Sequence, residues 1–301
     1  MAIRWAGVYT ALTTKFDERG GLDLREMEAH IGRQLSAGVH GIIVLGSLGE
    51  NGTLSQAEKQ EVVRMASSAC RGKAPVIACV AETTTSAACG FVRDAQESGA
   101  EGFMLLPPMQ YVSDPAETET YLRTVARASD KPVMLYNNPV AYRVDVTPEM
   151  FARLADEPKF VAIKESSDDV RRISDIRNLV GDRYAIFTGV DDLAMESLIL
   201  GAAGWVAGLV CAFPRETVVL YSLVKAGRID EALPLYRWFM PLLHLDVSVK
   251  FVQNIKLAEA MASGGNERVR PPRLPLAGEE RARVERTIAR AMATRPKLPQ
   301  V

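Results

Sequence analysis

A (β/α)8 barrel with a C-terminal helical extension is the fold this sequence predicts, on three observations. Eight short apolar runs recur through the first 210 residues, segments of helical period lie between them, and strand signals stop after about Gly227. The runs occupy residues 8–13, 41–45, 75–80, 102–106, 132–136, 160–164, 184–188 and 205–210. They are apolar throughout rather than alternating, the pattern of strands buried on both faces. Repeated strand–helix units of this kind close into a barrel. The competing fold, an open doubly wound sheet, would carry a glycine-rich phosphate turn after its first strand, and Thr10-Ala-Leu-Thr-Thr-Lys15 has none.

The intervening helices carry their own start and stop signals. Leu24, Met27, Ile31 and Leu35 fall on one face, with Asp23 as cap and Gly38 as stop. Ser55-Gln-Ala-Glu58 reads as a capping box. Asp114-Pro115 and Thr147-Pro148 each place a cap before a proline at the first helical position. Gly38-Val-His-Gly41, Gly99-Ala-Glu-Gly102 and Gly201-Ala-Ala-Gly204 form a weak internal repeat. Each is predicted to close a helix with positive φ and open a strand. Residues 230–245, 248–262 and 279–293 read as further helices. The expected organisation is therefore a barrel over 1–226 and a helical region over 227–301 packed on it.

Composition narrows the function. With 48% hydrophobic and 24% charged residues the chain is an ordinary globular one. A net charge of -1 gives no electrostatic footprint for nucleic acid. No apolar run approaches the roughly 18 residues of a membrane span, and residues 1–7 show no signal-peptide pattern. Cys70, Cys79, Cys89 and Cys211 form no CxxC, so reduced thiols and a cytoplasmic location are expected. His30, His40 and His244 are scattered, which argues against a metal site and against a metal-dependent class II aldolase.

The residues that carry chemistry stand where strands end, and in such a barrel the C-terminal strand ends form one mouth. Lys164 closes the run Phe160-Val-Ala-Ile-Lys164. A lysine drawn out of water is pushed toward its neutral amine, the nucleophile of Schiff-base chemistry. The alternative is a strand-end lysine that points into solvent, the ordinary fate of lysine. Tyr136 ends the preceding strand and stands within reach of that amine; otherwise it is a core ring with a satisfied hydroxyl. Gly46-Ser-Leu-Gly-Glu50 follows the second strand, where glycine lets backbone N–H groups approach an anion. Glu50 is expected to support that loop rather than to react.

These motifs resemble those of the dihydrodipicolinate synthase and N-acetylneuraminate lyase family, class I lyases on a (β/α)8 barrel with C-terminal helices. The resemblance spans nearly the whole chain and rests on Gly46-Ser-Leu-Gly-Glu50, Tyr136-Asn-Asn-Pro139, Ile163-Lys-Glu165 and Gly189-Val-Asp191 in that order. It implies that Lys164 forms the Schiff base, that Tyr136 moves the protons, and that Ser47 orients Tyr136 and helps to hold a substrate carboxylate. Gly46, Leu48, Gly189, Val206, Gln110 and Tyr111 are the implied substrate-binding positions. It implies no metal or organic cofactor, a small 2-oxo or 2-imino acid as substrate, no nucleic-acid or membrane partner, and a homo-oligomer, usually a tetramer.

Three departures bear on substrate. Synthase members carry a second hydroxyl residue where Leu48 stands, an arginine where Ala141 stands, and a shuttle tyrosine where Gln110 stands, with Tyr111 next to it. The pattern points to a catabolic branch: a dehydratase of a 2-keto-3-deoxy sugar acid, or a deaminase of the hydroxyproline-derived pyrroline-4-hydroxy-2-carboxylate. An aldolase of a 4-hydroxy-2-oxo acid, a synthase-like condensing enzyme, and a non-catalytic keto-acid sensor are the alternatives.

Overall fold

Eight apolar strands buried on both faces have one way to satisfy every edge hydrogen bond, which is to close on themselves. In the computed structural model, which describes residues 3–301, they do so. The strands β1 (Gly7–Ala11), β2 (Gly41–Val44), β3 (Val76–Val80), β4 (Gly102–Leu105), β5 (Val133–Asn137), β6 (Phe160–Glu165), β7 (Ala185–Thr188) and β8 (Gly204–Ala207) form a closed barrel in sequence order. All pairs are parallel, and β8 returns to β1 through Val206 opposite Tyr9.

Helices α1 (Leu24–Ser36), α2 (Gln56–Cys70), α3 (Thr85–Glu97) and α4 (Pro115–Arg127) connect the first five strands. A single turn, α5 (Pro139–Tyr142), and then α6 (Pro148–Leu154) lie between β5 and β6, followed by α7 (Arg171–Val180) and α8 (Ala194–Ile199). The chain ends in α9 (Pro214–Lys225), α10 (Ile229–Leu243), α11 (Phe251–Ser263) and α12 (Gly278–Ala293). The caps are those the sequence predicts: Asp23 accepts from Glu26 N–H, and both Ser55 and Asp114 form complete capping boxes. Gly38, Gly99 and Gly201 have φ of +88°, +103° and +104°, as the three αβ turns require.

One strand prediction is overrun. The apolar run 205–210 reads as a single strand, but β8 stops at Ala207 and the chain turns through a 3-10 turn, Leu209–Cys211. These residues are apolar because they are buried beneath the C-terminal helices, not because they extend the sheet.

The C-terminal helices are tied to the loop after β2 by charge. Glu50 is fully buried; its Oε1 accepts from Lys256 Nζ at 2.5 Å and its Oε2 from the Arg270 backbone N–H at 3.1 Å. Arg270 also pairs with Glu58, and both Lys256 and Arg270 face the Phe16 ring, at 4.6 Å and 4.4 Å from its centroid. Glu50 therefore holds the loop, as expected. No helix among the described residues is long and apolar enough to cross a membrane.

Candidate active site

Parallel pairing of β5 and β6 sets Tyr136 directly opposite Lys164, and Asn137 opposite Glu165. Two adjacent strand ends thus bring a phenol and an amine to the same level of the barrel mouth. Lys164 is buried, and its Nζ lies 4.0 Å from the centroid of the Tyr136 ring. Burial pushes the Lys164 amine down toward its neutral form, while Tyr142, Asp246 and Asp191 partly oppose that by favouring the ammonium. Burial also pushes the Tyr136 phenol up to about 12, so at neutral pH it is a proton donor.

Gly189 makes room for this lysine. A Cβ at that position would stand 2.3 Å from Lys164 Cε and 2.1 Å from Ser166 Oγ. The lysine stem lies across the glycine backbone, and no larger residue fits beneath it.

The strand ends are braced from behind. Asn137 Nδ2 donates to Glu165 at 3.1 Å and to Asp145 at 3.2 Å, while its Oδ1 accepts from Val146 N–H at 2.9 Å. Glu165 further accepts from Ser167 N–H at 2.7 Å. Arg172 clamps Asp145 with two hydrogen bonds, at 3.0 Å and 2.7 Å. Buried polar groups satisfied in this way keep β5 and β6 in one register.

Ser47 is at the mouth, but its partner differs from the expected one. Its hydroxyl is hydrogen-bonded to Tyr142 Oη, not to Tyr136. Tyr142 ends α5 and packs edge-on against Tyr136, with centroids 5.8 Å apart at 87°. Asn138 Nδ2 donates to Tyr136 Oη at 3.2 Å, and Asn138 Oδ1 caps α5 by accepting from Ala141 N–H at 2.9 Å. The result is a line of hydroxyls, Ser47 to Tyr142 beside Tyr136, leading to the Lys164 amine.

A match to the family model described as the dihydrodipicolinate synthetase family covers residues 4–291. The chain belongs to that family. Among relatives, the 4-hydroxy-tetrahydrodipicolinate synthase of Methanospirillum hungatei is 35% identical over 240 residues, 78% of this chain and 82% of that protein. Among solved structures, a dihydrodipicolinate synthase from Bacillus anthracis superposes with a TM-score of 0.92 at 27% identity, covering 98% of this chain and all (100%) of the other. YagE, a prophage protein of this family from E. coli K12 solved in complex with pyruvate, gives 0.90 at 26% identity, covering 95% of this chain and 98% of its own. The fold is therefore the family's barrel, and the chain is a lyase of that family.

Within this family frame, Lys164, Tyr136, Ser47 and Gly189 gather at the mouth. Gly46 lies beside them, with open space where a Cβ would meet nothing closer than Met104 Cε at 3.9 Å. Leu48 is buried in the apolar core, and Val206 is buried within β8. Gln110 and Tyr111 stand exposed on the loop after β4, lining an open groove with Thr84, Glu117 and Tyr121. Neither is hydrogen-bonded to Lys164, Tyr136 or Ser47 among the described residues.

Two residues at the mouth escape the sequence reading. Tyr142 sits one position past Ala141, in a stretch that shows only a turn signal. Asp246 lies in the short gap between two segments read as helices, 230–245 and 248–262. Its carboxyl interacts with Lys164 and Asp191, and burial together with Asp191 pushes it well above the usual carboxylate range. Three potential metal ligands, His30, Cys211 and Glu259, also come together although no spacing announces them, their ligand atoms within 4.8 Å of one another. A cation already serves Glu259, since the Lys15 amine is ion-paired with its carboxylate.

Proposed function

We propose that this chain is a Schiff-base-forming lyase that removes the C4 hydroxyl of a small 2-oxo or 2-imino acid as water. The two substrate classes that fit are 2-keto-3-deoxy sugar acids, in a dehydratase, and pyrroline-4-hydroxy-2-carboxylate, in a deaminase. The observation that carries this reading is the Lys164 amine, buried at a strand end and held 4.0 Å above the Tyr136 ring.

The neutral amine attacks C2 of the substrate. Tyr136 donates a proton to the oxygen or nitrogen that leaves C2, and Tyr142 with Ser47 continues the proton path toward the loop after β2. The resulting iminium draws electrons from C3, so transfer of a C3 proton to the Tyr136 phenolate left by the first step gives an enamine. The enamine expels the C4 hydroxyl, and hydrolysis of the imine frees Lys164. The iminium is the electron sink throughout, so the chemistry needs neither a metal nor an organic cofactor.

Ala141 supports dehydration over condensation, because the position that resembles the synthases' carboxylate-binding arginine here bears only a methyl group. The names of the relatives, 4-hydroxy-tetrahydrodipicolinate synthases, favour a second reading, a synthase-like condensing enzyme. A cytoplasmic homotetramer belongs to the same proposal, and light scattering on the purified protein reports the assembly.

The test is intact mass after borohydride reduction with pyruvate, for wild type and Lys164→Ala, followed by turnover of both C4-hydroxylated classes and of the condensation pair. An adduct in wild type alone, with water loss from a C4-hydroxylated acid, is the expected result. Turnover by Lys164→Ala, or condensation without dehydration, overturns it.

A further inference from the structure

Gly208 stands between two carboxyl groups drawn from distant parts of the chain. On one side is Asp191, in the turn after β7. It accepts from the Trp205 indole N–H at 2.8 Å, from Leu209 N–H at 2.8 Å and from Gly208 N–H at 3.2 Å. On the other side is Asp246, which reaches in from the turn between α10 and α11. A Cβ at position 208 would stand 2.2 Å from Asp246 Oδ1. Gly208 has φ of -95°, so any residue could adopt its backbone. Glycine is needed there for space alone, and the space is filled by the Asp246 carboxyl.

The two carboxyls differ in how they are held. Asp191 is saturated by N–H donors and buried at 0% exposure. Asp246 is partly exposed, and among the described residues its carboxyl has no hydrogen-bond partner in the protein. A partly buried carboxyl that sits over Gly208, directly after the mouth end of β8, with no donor of its own and room given by a glycine, is placed for something that enters the mouth.

We propose that Asp246 is the catalytic acid that protonates the departing C4 hydroxyl. This rests on the dehydration reading above. In the step, the C4–O bond of the Lys164-bound enamine breaks and its electron pair leaves with oxygen. The Asp246 Oδ–H proton passes to that oxygen, giving water. The enamine electrons form the C3–C4 double bond and restore the iminium at Lys164. Asp246 is left as carboxylate and regains its proton from solvent at the open side of the mouth.

The surroundings of Asp246 favour this division of labour. Burial raises the carboxyl most, Asp191 and Asp192 from the turn after β7 raise it further, and Lys164 on β6 opposes them. Asp192 is itself paired with His244 Nδ1 at 2.8 Å. Asp191 is raised to about 6 by burial, against its N–H donors and Lys164, which lower it. Two interacting carboxyls beside one another retain a proton between them toward neutral pH. Tyr136 and Tyr142 lie across the site, at the Ser47 side, and serve the groups on C2.

The experiment compares wild type with Asp246→Asn and Gly208→Ala. Both variants are expected to retain the borohydride-reducible pyruvate adduct at Lys164, read as the extent of trapping at saturating pyruvate rather than its rate, because removing the Asp246 charge also shifts the amine. Turnover of the C4-hydroxylated acid is expected to fall about 100-fold or more, within the range for loss of a general acid. The wild-type rate falls on the alkaline side as Asp246 loses its proton, and Asp246→Asn lacks that limb. Asp246→Asn turnover within threefold of wild type, or an unchanged alkaline limb, overturns the proposal while dehydration stands. Loss of the adduct in Asp246→Asn overturns it too, since the residue would then be structural. If wild type forms the adduct but dehydrates neither substrate class, the dehydration reading fails first and this role fails with it.

Discussion

Tyr142 Oη is hydrogen-bonded to Ser47 Oγ across 95 positions of sequence. The pairing joins the loop after β2 to the single turn that follows β5, and it sets a second phenol against Tyr136. The loop after β5 thus supplies Ser47 with a phenolic partner that stands edge-on to Tyr136. Burial raises the Tyr142 phenol, so it is protonated at neutral pH.

Tyr142→Phe keeps the ring and its edge contact with Tyr136 but cuts the link to Ser47. The expected outcome is a loss of about 100-fold in kcat, at the low end of general acid–base contributions, with slower appearance of the reducible adduct. Single-turnover trapping with borohydride measures it. An unchanged trapping rate would make Tyr142 a packing residue only.

The Lys164 amine is lowered by burial, and the sign of the consequence is fixed. Imine formation needs the neutral amine, so its rate rises with pH and levels off once the amine has lost its proton. The plateau is expected below the roughly 10.4 of a solvated lysine. Adduct formation followed from pH 6 upward tests this. A rate still climbing beyond pH 10 would mean the amine is as basic as one in water.

Gly189→Ala places a methyl group 2.3 Å from the present position of Lys164 Cε. The side chain must move aside, and a displacement of about 1 Å at a reacting atom costs on the order of 100-fold in rate. The fold should survive, because the clash falls on flexible side-chain atoms. Far-UV circular dichroism and adduct formation together separate the two effects.

Lys15 and Glu259 form an ion pair that is fully buried, with Thr13 Oγ1 donating to Glu259 Oε1 at 2.8 Å. Removing one partner leaves an uncompensated buried charge, so Lys15→Met or Glu259→Gln alone is expected to cost about 3–5 kcal/mol. Replacing both, Lys15→Met with Glu259→Leu, should recover most of that loss. Urea denaturation of the three variants measures it, and equal destabilisation by single and double changes would show that the pair is not a unit.

The barrel was legible because its strands are buried on both faces. Such strands must be apolar, and runs so short, separated by capped helical segments, leave few alternatives. The same rule misled at residues 205–210, where burial under the C-terminal helices makes a turn look like strand. The loop residues Gln110 and Tyr111 line an exposed groove with Thr84, Glu117 and Tyr121. Loop direction depends on contacts that no local pattern encodes.

Sequence alone determined the barrel, the strand-end lysine and the neighbouring tyrosine, since strand order and parallel register follow from local pattern and place Lys164 beside Tyr136. Only the tertiary structure decided what surrounds them. Tyr142 against Ser47, Asp246 over Gly208 and Lys15 beneath Glu259 are contacts between residues far apart in the chain, whose side chains meet because the closed barrel and its C-terminal helices bring their loops to one place. Hydrophobic periodicity records which face of an element is buried; it carries no record of which distant polar group will be waiting there.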